Sequence, residues 1–593
     1  MNKNAACFVI LYVKRRNEVK PLSLTVPRRA LKRAAFALSL LLFILPALPS
    51  CAANADTGAI RVLLTKAALT DQARVSLDGS YTLGSMSFQR GSHLLFSCES
   101  GSIVMYYEGM ALDCGNQVTL TRHAAVSGAE NGLRIGDSFY LHPGDLTLTI
   151  RDGNLRAVLT APIEEYLLGV VPYEMSDSFP LEALKAQAIA ARTYALRKKQ
   201  ASSTDYDVVD NTNDQCYNGI LAENKNAAQA VAETAGQCGY YKNALAECFY
   251  SASNGGQTEL VRHVWGAGDY GYMTMADDPY DLENTASMAR RFTLPKQLKE
   301  NSDLGALGEM LLGAVTEQME ALGYDGDMEN LRILSIDRLE ATTPRYTDSP
   351  SRLMTRLRFT LTVQGKKAAG GTTEEDVSMF AVPVQTQTPS ADEWVTASTP
   401  VEAELNIFPD VEAACGLDIN RGTDNELVSV EETADAYVIV SRRYGHGVGM
   451  SQRGAQTMAQ NYGKSCEDIL RFYYPGMTVR TLDTGFTLPS PVADAFLATP
   501  GPAATPTPRP TAVPLTLTPG NGEYLVTVTN IAQNSYLNLR AEASTASSVV
   551  RQLYYGQRLI VQAEEGDWLK VRMDDASGYV MTQFVEKVET AAP

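Results

Sequence analysis

The sequence predicts an α+β protein with a β-rich N-terminal part, a mixed α/β body and a small all-β barrel. Residues 60–159 hold short apolar and β-branched runs between polar turns, which are typical of strands. Residues 181–199 are rich in alanine, lack glycine and proline, and follow Pro180, which favours a long helix. Residues 523–588 return to short strand-like runs between turn residues, as in small barrels.

Residues 1–55 are predicted to be an export signal. A basic stretch ending at Arg33 precedes an apolar run over 34–48, which suits a signal peptide and is short for a membrane span. Cleavage after Ala55, a lipoprotein-type site at Cys51 and an uncleaved anchor remain alternatives. In each case we expect an extracytoplasmic protein, secreted or associated with the cell envelope, that meets the membrane only through its signal or anchor.

The charge distribution argues against several classes of partner. The formal net charge is −17, and residues 1–55 are basic, so the remainder is more acidic still. A nucleic-acid partner is not expected, because binding nucleic acid needs a basic surface. Adhesion to anionic lipid by charge alone is not expected either. A carbohydrate would instead be held by hydrogen bonds and aromatic stacking in a local groove.

Composition divides the rest of the chain into three parts. The body is predicted to span 56–487, with its β-rich part at 56–160 and a catalytic part at 161–487 that holds an insert near 300–400. Residues 488–520 are rich in proline and threonine and predict an extended linker. The barrel is predicted to occupy 521–593.

Four markers in the barrel resemble bacterial SH3-like domains. They are the L-N-L-R run at 537–540, the L-Y-Y-G run at 553–556, the G-D-W-L-K-V run at 566–571 and the G-Y-V run at 578–580. The resemblance implies binding to cell-wall peptides or polysaccharide. We expect Trp568 to lie in the core of the barrel and not to contact a ligand.

Five ordered motifs in the body are similar to the SpoIID/LytB family. They are an E-Y-L-L-G-V-V-P-Y-E-M run at 165–175, an A-L-K-A-Q-A-I-A-A-R-T-Y run at 183–194, D-Q-C-Y-N-G at 214–219, Y-S-A-S-N-G-G-Q-T at 250–258 and G-H-G-V-G-M-S-Q-R-G-A at 445–455. The resemblance implies action on peptidoglycan glycan strands as a lytic transglycosylase, with a role in sporulation known for some members. Other members are described as amidase enhancers, so an amidase or another wall hydrolase is an expected partner.

The family's catalytic acid corresponds to Glu174. A lytic transglycosylase needs one carboxyl group, which protonates the glycosidic oxygen and then acts as base toward the muramic acid 6-hydroxyl. Such an acid needs a raised pKa, and the apolar neighbours Val171 and Met175 can provide the desolvation. Glu164 and Glu165 are ranked below Glu174, because acids on a short helix are commonly exposed to solvent.

The same motifs predict the residues that bind substrate. These are Arg192, Gln187, Gln215, Tyr217, Tyr250, Ser253, Gly255, Gly256, His446, Gly447 and Gln452. Some have structural alternatives: an ion pair for Arg192, a buried pair with Tyr194 for Gln187 and a tight turn for Gly255 and Gly256. Ser451 is predicted to be the N-cap of a helix over 452–462.

Neither a metal nor a cofactor is predicted. Some family members carry a His/Cys cluster near the Q-x-Y element, but here only Cys216 lies there, and no histidine occurs between His142 and His263. Nothing in the sequence gives Cys216 a neighbouring base, so a thiol nucleophile is not favoured. The functional alternative is a non-catalytic amidase enhancer or wall-binding protein.

Overall fold

The computed structural model describes residues 7–15, 18–26, 58–123, 131–266, 268–299, 301–368, 393–482, 513–514, 519–531, 536–554, 556–573 and 576–588. The chain divides into two units, Met1–Thr57 and Gly58–Pro593. In the first unit, strands β1 (Cys7–Arg15) and β2 (Glu18–Val26) pair antiparallel. The apolar run and the cleavage sites of the predicted export signal lie outside the described residues. Within those residues, no helix is long and apolar enough to cross a membrane.

Two sheets confirm the predicted β-rich N-terminal part. Their strands are β3 (Ala59–Leu63), β4 (Gln72–Leu77), β5 (Tyr81–Leu83), β6 (Met86–Phe88), β7 (His93–Glu99), β8 (Ser102–Tyr107), β9 (Met110–Asp113), β10 (Gln117–Arg122), β11 (Leu133–Ile135), β12 (Asp145–Arg151) and β13 (Asn154–Pro162). Alternate residues of β4 are buried, so one face of each sheet builds the core. One sheet has the order β14-β3-β13-β12-β10-β5-β6, where β14 (Val208–Val209) runs parallel to β3; the other has the order β11-β4-β7-β8-β9-β27, where β27 is Val513–Pro514.

A group of helices follows and shares its core with these sheets. The helices are α1 (Ile163–Leu168), α2 (Val171–Glu174), α3 (Leu181–Ala201) and α4 (Lys225–Glu233). The long helix predicted over 181–199 is confirmed as α3, and its alanines allow close packing because almost all residues from Ala183 to Leu196 are buried. Helices α1 and α2 are both short, and Pro172 in the first turn of α2 suits a helix N-terminus.

The remaining elements of the body bring distant motifs together. They are β15 (Gln237–Tyr241), β16 (Ala244–Leu245), β17 (Tyr250–Ser251), α5 (Val261–Trp265), α6 (Pro279–Glu283), β25 (Met450–Ser451), α9 (Gln452–Tyr462), α10 (Cys466–Tyr473) and β26 (Thr478–Thr481). Strands β17 and β25 pair in parallel, with Tyr250 beside Met450. The predicted cap of α9 is confirmed, since the Gly454 amide donates to Ser451 Oγ at 3.0 Å.

The predicted insert forms around a hydrophobic core of its own. Its elements are β18 (Ala289–Pro295), α7 (Ala306–Ala321), β19 (Leu331–Pro344), β20 (Met354–Lys366), β21 (Trp394–Thr396), β22 (Val401–Asn406), α8 (Glu412–Cys415), β23 (Leu427–Glu432), β24 (Ala436–Arg442) and the one-turn segments Asn301–Leu304, Met328–Asn330 and Ile407–Val411. The side chains of Leu311, Phe359 and Ile439 are fully buried there. This core reaches beyond the predicted limit near 400, because β23 and β24 contribute to it.

The C-terminal module is all-β, as predicted. Its single sheet contains β28 (Tyr524–Val528), β29 (Tyr536–Arg540), β30 (Val549–Tyr554), β31 (Arg558–Glu565), β32 (Trp568–Arg572), β33 (Ser577–Met581) and β34 (Val585–Lys587). A one-turn helix, Thr582–Phe584, connects β33 to β34. Leu539, Val571 and Val580 are fully buried in its core, whereas Trp568 is half-buried. The guanidinium of Arg551 lies 3.0 Å from Asp71, so the module contacts the β-rich part.

Candidate active site

Glu174 is the last residue of α2 and lies between two motifs that are far apart in sequence. Its Oε1 accepts a hydrogen bond of 2.7 Å from the Cys216 amide, and its Oε2 accepts one of 3.4 Å from Gln452 Nε2. The residue is only partly exposed. The third and fifth motifs therefore meet at this carboxyl group.

Burial raises the pKa of Glu174 above its usual value. Hydrogen bonds from the Cys216 amide, Gln452 and Tyr250, together with the positive charge of Lys66, oppose this effect but do not cancel it. A carboxyl group in this setting can hold a proton at higher pH than an exposed glutamic acid. It is thus suited to act as a general acid.

A relay of polar side chains supports Glu174 from the protein interior. Tyr166 donates to Gln215 Oε1 at 3.0 Å, and Gln215 Nε2 donates to the Tyr250 hydroxyl at 2.8 Å. Because the Tyr250 oxygen accepts from Gln215, its own proton remains available for Glu174. Gln215 is fully buried, so it positions Tyr250 and is not itself accessible to a sugar.

Tyr217 is a core residue, which disagrees with its predicted contact to substrate. Its side chain is buried, its ring stacks on Tyr166 with centroids 5.3 Å apart, and its hydroxyl lies 3.3 Å from His142 Nδ1. A Cβ atom at Gly169 would lie 2.4 Å from the Tyr217 ring. The glycine of the first motif is therefore needed for this close packing.

Arg192 forms a buried ion pair, so the structural alternative applies and the predicted substrate contact is not supported. Both Arg192 and Glu164 are 0% exposed; Nε lies 2.9 Å from Glu164 Oε1 and Nη2 lies 2.5 Å from Oε2. The expectation that Glu164 faces solvent is wrong for the same reason. Glu165 instead pairs with Arg122 at 2.6 Å.

Ser253, Gly255 and Gly256 form a turn that packs against protein. Ser253 is buried and donates to Asp281 at 2.8 Å. Both glycines have positive φ, and a Cβ at Gly256 would lie 2.5 Å from Leu282. The structural alternative therefore explains these glycines.

His446 ties the glycine loop of the fifth motif to the strand that carries Tyr250. Its half-buried ring accepts a hydrogen bond at Nδ1 from the Val448 amide at 3.0 Å. Burial lowers the pKa of His446 to about 4, although a hydrogen bond with the Tyr250 backbone partly opposes this shift. The ring is therefore neutral at pH 7. Gly447 has a φ of 73°, and a Cβ there would lie 2.7 Å from Arg443 Nε.

Two residues near these loops are not among the predicted site residues. Trp265 is 47% exposed, and its ring centroid lies 5.0 Å from that of His446, so it offers an aromatic face beside the glycine loop. Its position shortly after the fourth motif is the sequence feature from which a role in the site could have been predicted. Asp281 is buried and accepts hydrogen bonds from both Ser253 and Ser451. No sequence feature distinguishes it from an ordinary aspartate in a short helix.

Gln187 and Cys216 complete the set of predicted residues. Gln187 is fully buried, and neither of its amide atoms has a hydrogen-bond partner among the described residues. Burial and the nearby Glu174 raise the pKa of the Cys216 thiol, which keeps it protonated and a poor nucleophile. In the part of the chain that the structure describes, the acidic side chains grouped closely enough to hold a metal ion are Glu412, Asp418 and Glu426.

Comparison with protein families identifies two parts of the chain. Residues 151–241 match the family described as Stage II sporulation protein, and residues 535–586 match the Bacterial SH3 domain. The chain contains a SpoIID domain. The resemblances seen in the motifs are thereby confirmed. The SpoIID domain includes Glu174 and the Cys216 amide that binds it, whereas Gln452 comes from outside the matched range.

Three relatives match this chain over more than 300 residues each. The chain is 31% identical over 324 residues to a protein named Amidase enhancer from Bacillus subtilis strain 168, which covers 53% of this chain and 40% of that protein. It is 27% identical over 346 residues to Stage II sporulation protein D of Bacillus amyloliquefaciens, with 55% and 77% covered. It is 25% identical over 432 residues to an uncharacterized protein of Brachyspira hyodysenteriae, with 72% and 94% covered. The chain thus spans less than half of the amidase enhancer. Together with the SH3 domain, these matches indicate a cell-wall-associated protein of the cell envelope.

Proposed function

We propose that this chain is a secreted lytic transglycosylase that cleaves peptidoglycan glycan strands between N-acetylmuramic acid and N-acetylglucosamine. Glu174 is its single general acid and base. The observation that carries the proposal is the partly exposed Glu174 carboxyl group, whose pKa is raised by burial and whose two oxygens are held by Cys216 and Gln452.

The reaction has two proton transfers at one carboxyl group. Protonated Glu174 gives its proton to the glycosidic oxygen as the bond to muramic acid C1 breaks. The resulting carboxylate then accepts the proton of the muramic acid 6-hydroxyl, whose oxygen bonds to C1 and closes the anhydro ring. Water is not added, and Glu174 ends protonated. Between the two steps, the Cys216 amide and the Tyr250 hydroxyl stabilise the carboxylate.

Substrate contacts are proposed for the residues nearest the carboxyl group and the glycine loop. Tyr250 and Gln452 already touch Glu174, while His446 and Gly447 line the loop beside it. Trp265 joins them as an exposed aromatic face for a sugar ring. The SH3 domain is proposed to hold the enzyme on the wall, which raises the local concentration of glycan.

The test uses the purified full chain with glycan strands that either bear stem peptides or have been stripped of them. We expect anhydro-muramic products from at least one substrate, detected by mass spectrometry, and none from Glu174→Gln. Glu223→Gln is the matched control, since Glu223 is exposed and its loss should leave the rate unchanged. If wild type yields no such product, the enzymatic proposal fails.

The second candidate function is a non-catalytic amidase enhancer or wall-binding protein. It is favoured by the relative named Amidase enhancer and by the SH3 domain. It predicts binding to isolated walls without product release, and faster release of stem peptides by an added amidase. An amidase rate that does not change with added protein would contradict it.

A further inference from the structure

Outside the Glu174 site, three acidic side chains meet where α8 leads toward β23. Glu412 is the first residue of α8, and Asp418 and Glu426 lie in the loop that follows. One carboxylate oxygen from each lies within 4.8 Å of the others. Like charges at this separation repel strongly unless a proton or a cation lies between them.

The Glu412 carboxyl group gives a second, independent observation. Glu412 is only 4% exposed, and its buried Oε1 has no hydrogen-bond partner among the described residues. A buried oxygen without a donor is unfavourable, so the position calls for a positively charged partner.

We propose that Glu412, Asp418 and Glu426 bind a divalent cation of the calcium class. Two oxygens bound to the same calcium ion, each at about 2.3–2.6 Å, lie at most about 5 Å apart, which agrees with the spacing of these carboxylates.

The ligand chemistry separates this site from a zinc site. The three side chains offer only oxygen, which calcium prefers, whereas structural zinc takes sulfur and imidazole nitrogen. Cys415 is adjacent in sequence, but burial raises the pKa of its thiol to about 12, so it does not provide a thiolate. The prediction that no metal binds rests on the lack of histidine and cysteine ligands, whereas this site is made of carboxylates.

Glu426 can offer its Oε2 to a cation: that oxygen accepts one bond of 3.0 Å, from the Asn425 amide, whereas Oε1 accepts three among the described contacts. The arginines around the loop do not occupy the three carboxylates. Arg345 pairs with Asp424 at 3.6 Å, so Asp424 is not counted as a ligand. Arg290 donates to the Gly416 carbonyl at 3.1 Å. Neither side chain forms an ion pair with Glu412, Asp418 or Glu426 among the described contacts.

The proposed cation site is joined directly to the glycine loop of the fifth motif. Glu426 Oε1 accepts from the Asn420 amide at 2.9 Å, and Asn420 Oδ1 accepts from the Gly445 amide at 2.8 Å. Asn425 Nδ2 donates to the Gly445 carbonyl at 3.0 Å. A cation that fixes the acidic loop therefore also fixes the backbone that carries His446.

The experiment measures cation binding by the full chain after removal of metal with a chelator. Titration with CaCl₂ by calorimetry should show saturable binding of one Ca²⁺ per chain. At a free concentration about 100 times the dissociation constant, unfolding of the cation-binding region becomes about 100-fold less favourable. Hydrogen exchange of the amides at 443–449 should slow when Ca²⁺ is added.

Variants distinguish this site from adventitious binding. Glu412→Gln and Asp418→Asn should each weaken Ca²⁺ binding at least about tenfold, whereas Glu402→Gln, an exposed glutamate on β22, should not change it. If Glu412→Gln does not fold, Asp418→Asn provides the test, since Asp418 is only half-buried. No saturable binding up to about 10 mM Ca²⁺, or equal affinity in the variants, overturns the proposal. Tighter binding of Zn²⁺ than of Ca²⁺ at the same three residues also overturns it. None of these readouts depends on glycan cleavage.

Discussion

Replacing Arg192 with methionine should destabilise the SpoIID domain by about 3–5 kcal/mol. The change removes both contacts to Glu164, at 2.9 and 2.5 Å, while Glu164 stays fully buried. The Gly236 amide, at 2.9 Å from Glu164 Oε1, would be the remaining donor to that carboxylate. The Gln237 carbonyl also loses its bond of 3.0 Å from Arg192. An uncompensated charge in the interior accounts for most of the expected loss.

Hydrogen exchange of the α3 amides is the appropriate measurement. It reports the opening of this helix separately from the insert and the SH3 domain, which need not unfold with it. A loss of 3–5 kcal/mol corresponds to exchange that is about 150- to 5,000-fold faster. The double variant Glu164→Met/Arg192→Met should recover much of the loss, because an apolar pair replaces the buried ions.

Arg197→Met on the same helix is the matched control. Arg197 pairs with Glu247 at 2.9 Å, but its side chain is 37% exposed, so its loss should cost less than about 1 kcal/mol. If Arg192→Met costs no more than Arg197→Met, the buried ion pair does not explain Arg192.

Three further variants test the surroundings of Glu174. Glu174→Gln should raise the thermal midpoint at pH 7 but not at pH 4. Burial raises the folded-state pKa of Glu174, so ionisation of this group costs stability as pH rises. A variant whose midpoint equals that of wild type at both pH values would argue against this. Tyr250→Phe removes a hydrogen bond that lowers the pKa of Glu174, so the alkaline limb of glycan cleavage should move up by as much as about one pH unit; an unmoved limb would speak against the bond. Ser451→Ala should cost about 1–2 kcal/mol in urea unfolding, because Ser451 caps α9 through the Gly454 amide and donates to Asp281; an unchanged midpoint would show that the cap contributes nothing.

Local chemistry made much of the fold predictable. The alanine-rich run after Pro180 predicts α3 because helix propensity and the start signal agree, and the observed helix ends two residues past the prediction. Ser451 likewise predicts the start of α9. The extent of the insert was less predictable, because β23 and β24 join its core from beyond the expected limit.

Side-chain burial in the site was not predictable from sequence spacing. Glu164 and Glu165 are adjacent acids on one short helix, yet one is fully buried and the other pairs with Arg122. The difference arises from Arg192, which reaches Glu164 from 28 positions away. The motifs likewise mark Tyr217 without distinguishing a side chain that binds a ligand from one that packs on Gly169. The family resemblance thus identified Glu174 as the candidate, while its partners required the tertiary arrangement.

The most direct test of single-acid chemistry at Glu174 is cleavage of glycan strands in water enriched in ¹⁸O. The account predicts anhydro-muramic ends that contain no ¹⁸O, because the 6-hydroxyl and not water attacks C1, and it predicts no product from Glu174→Gln. Reducing ends labelled with ¹⁸O, or cleavage by Glu174→Gln at the wild-type rate, would contradict it.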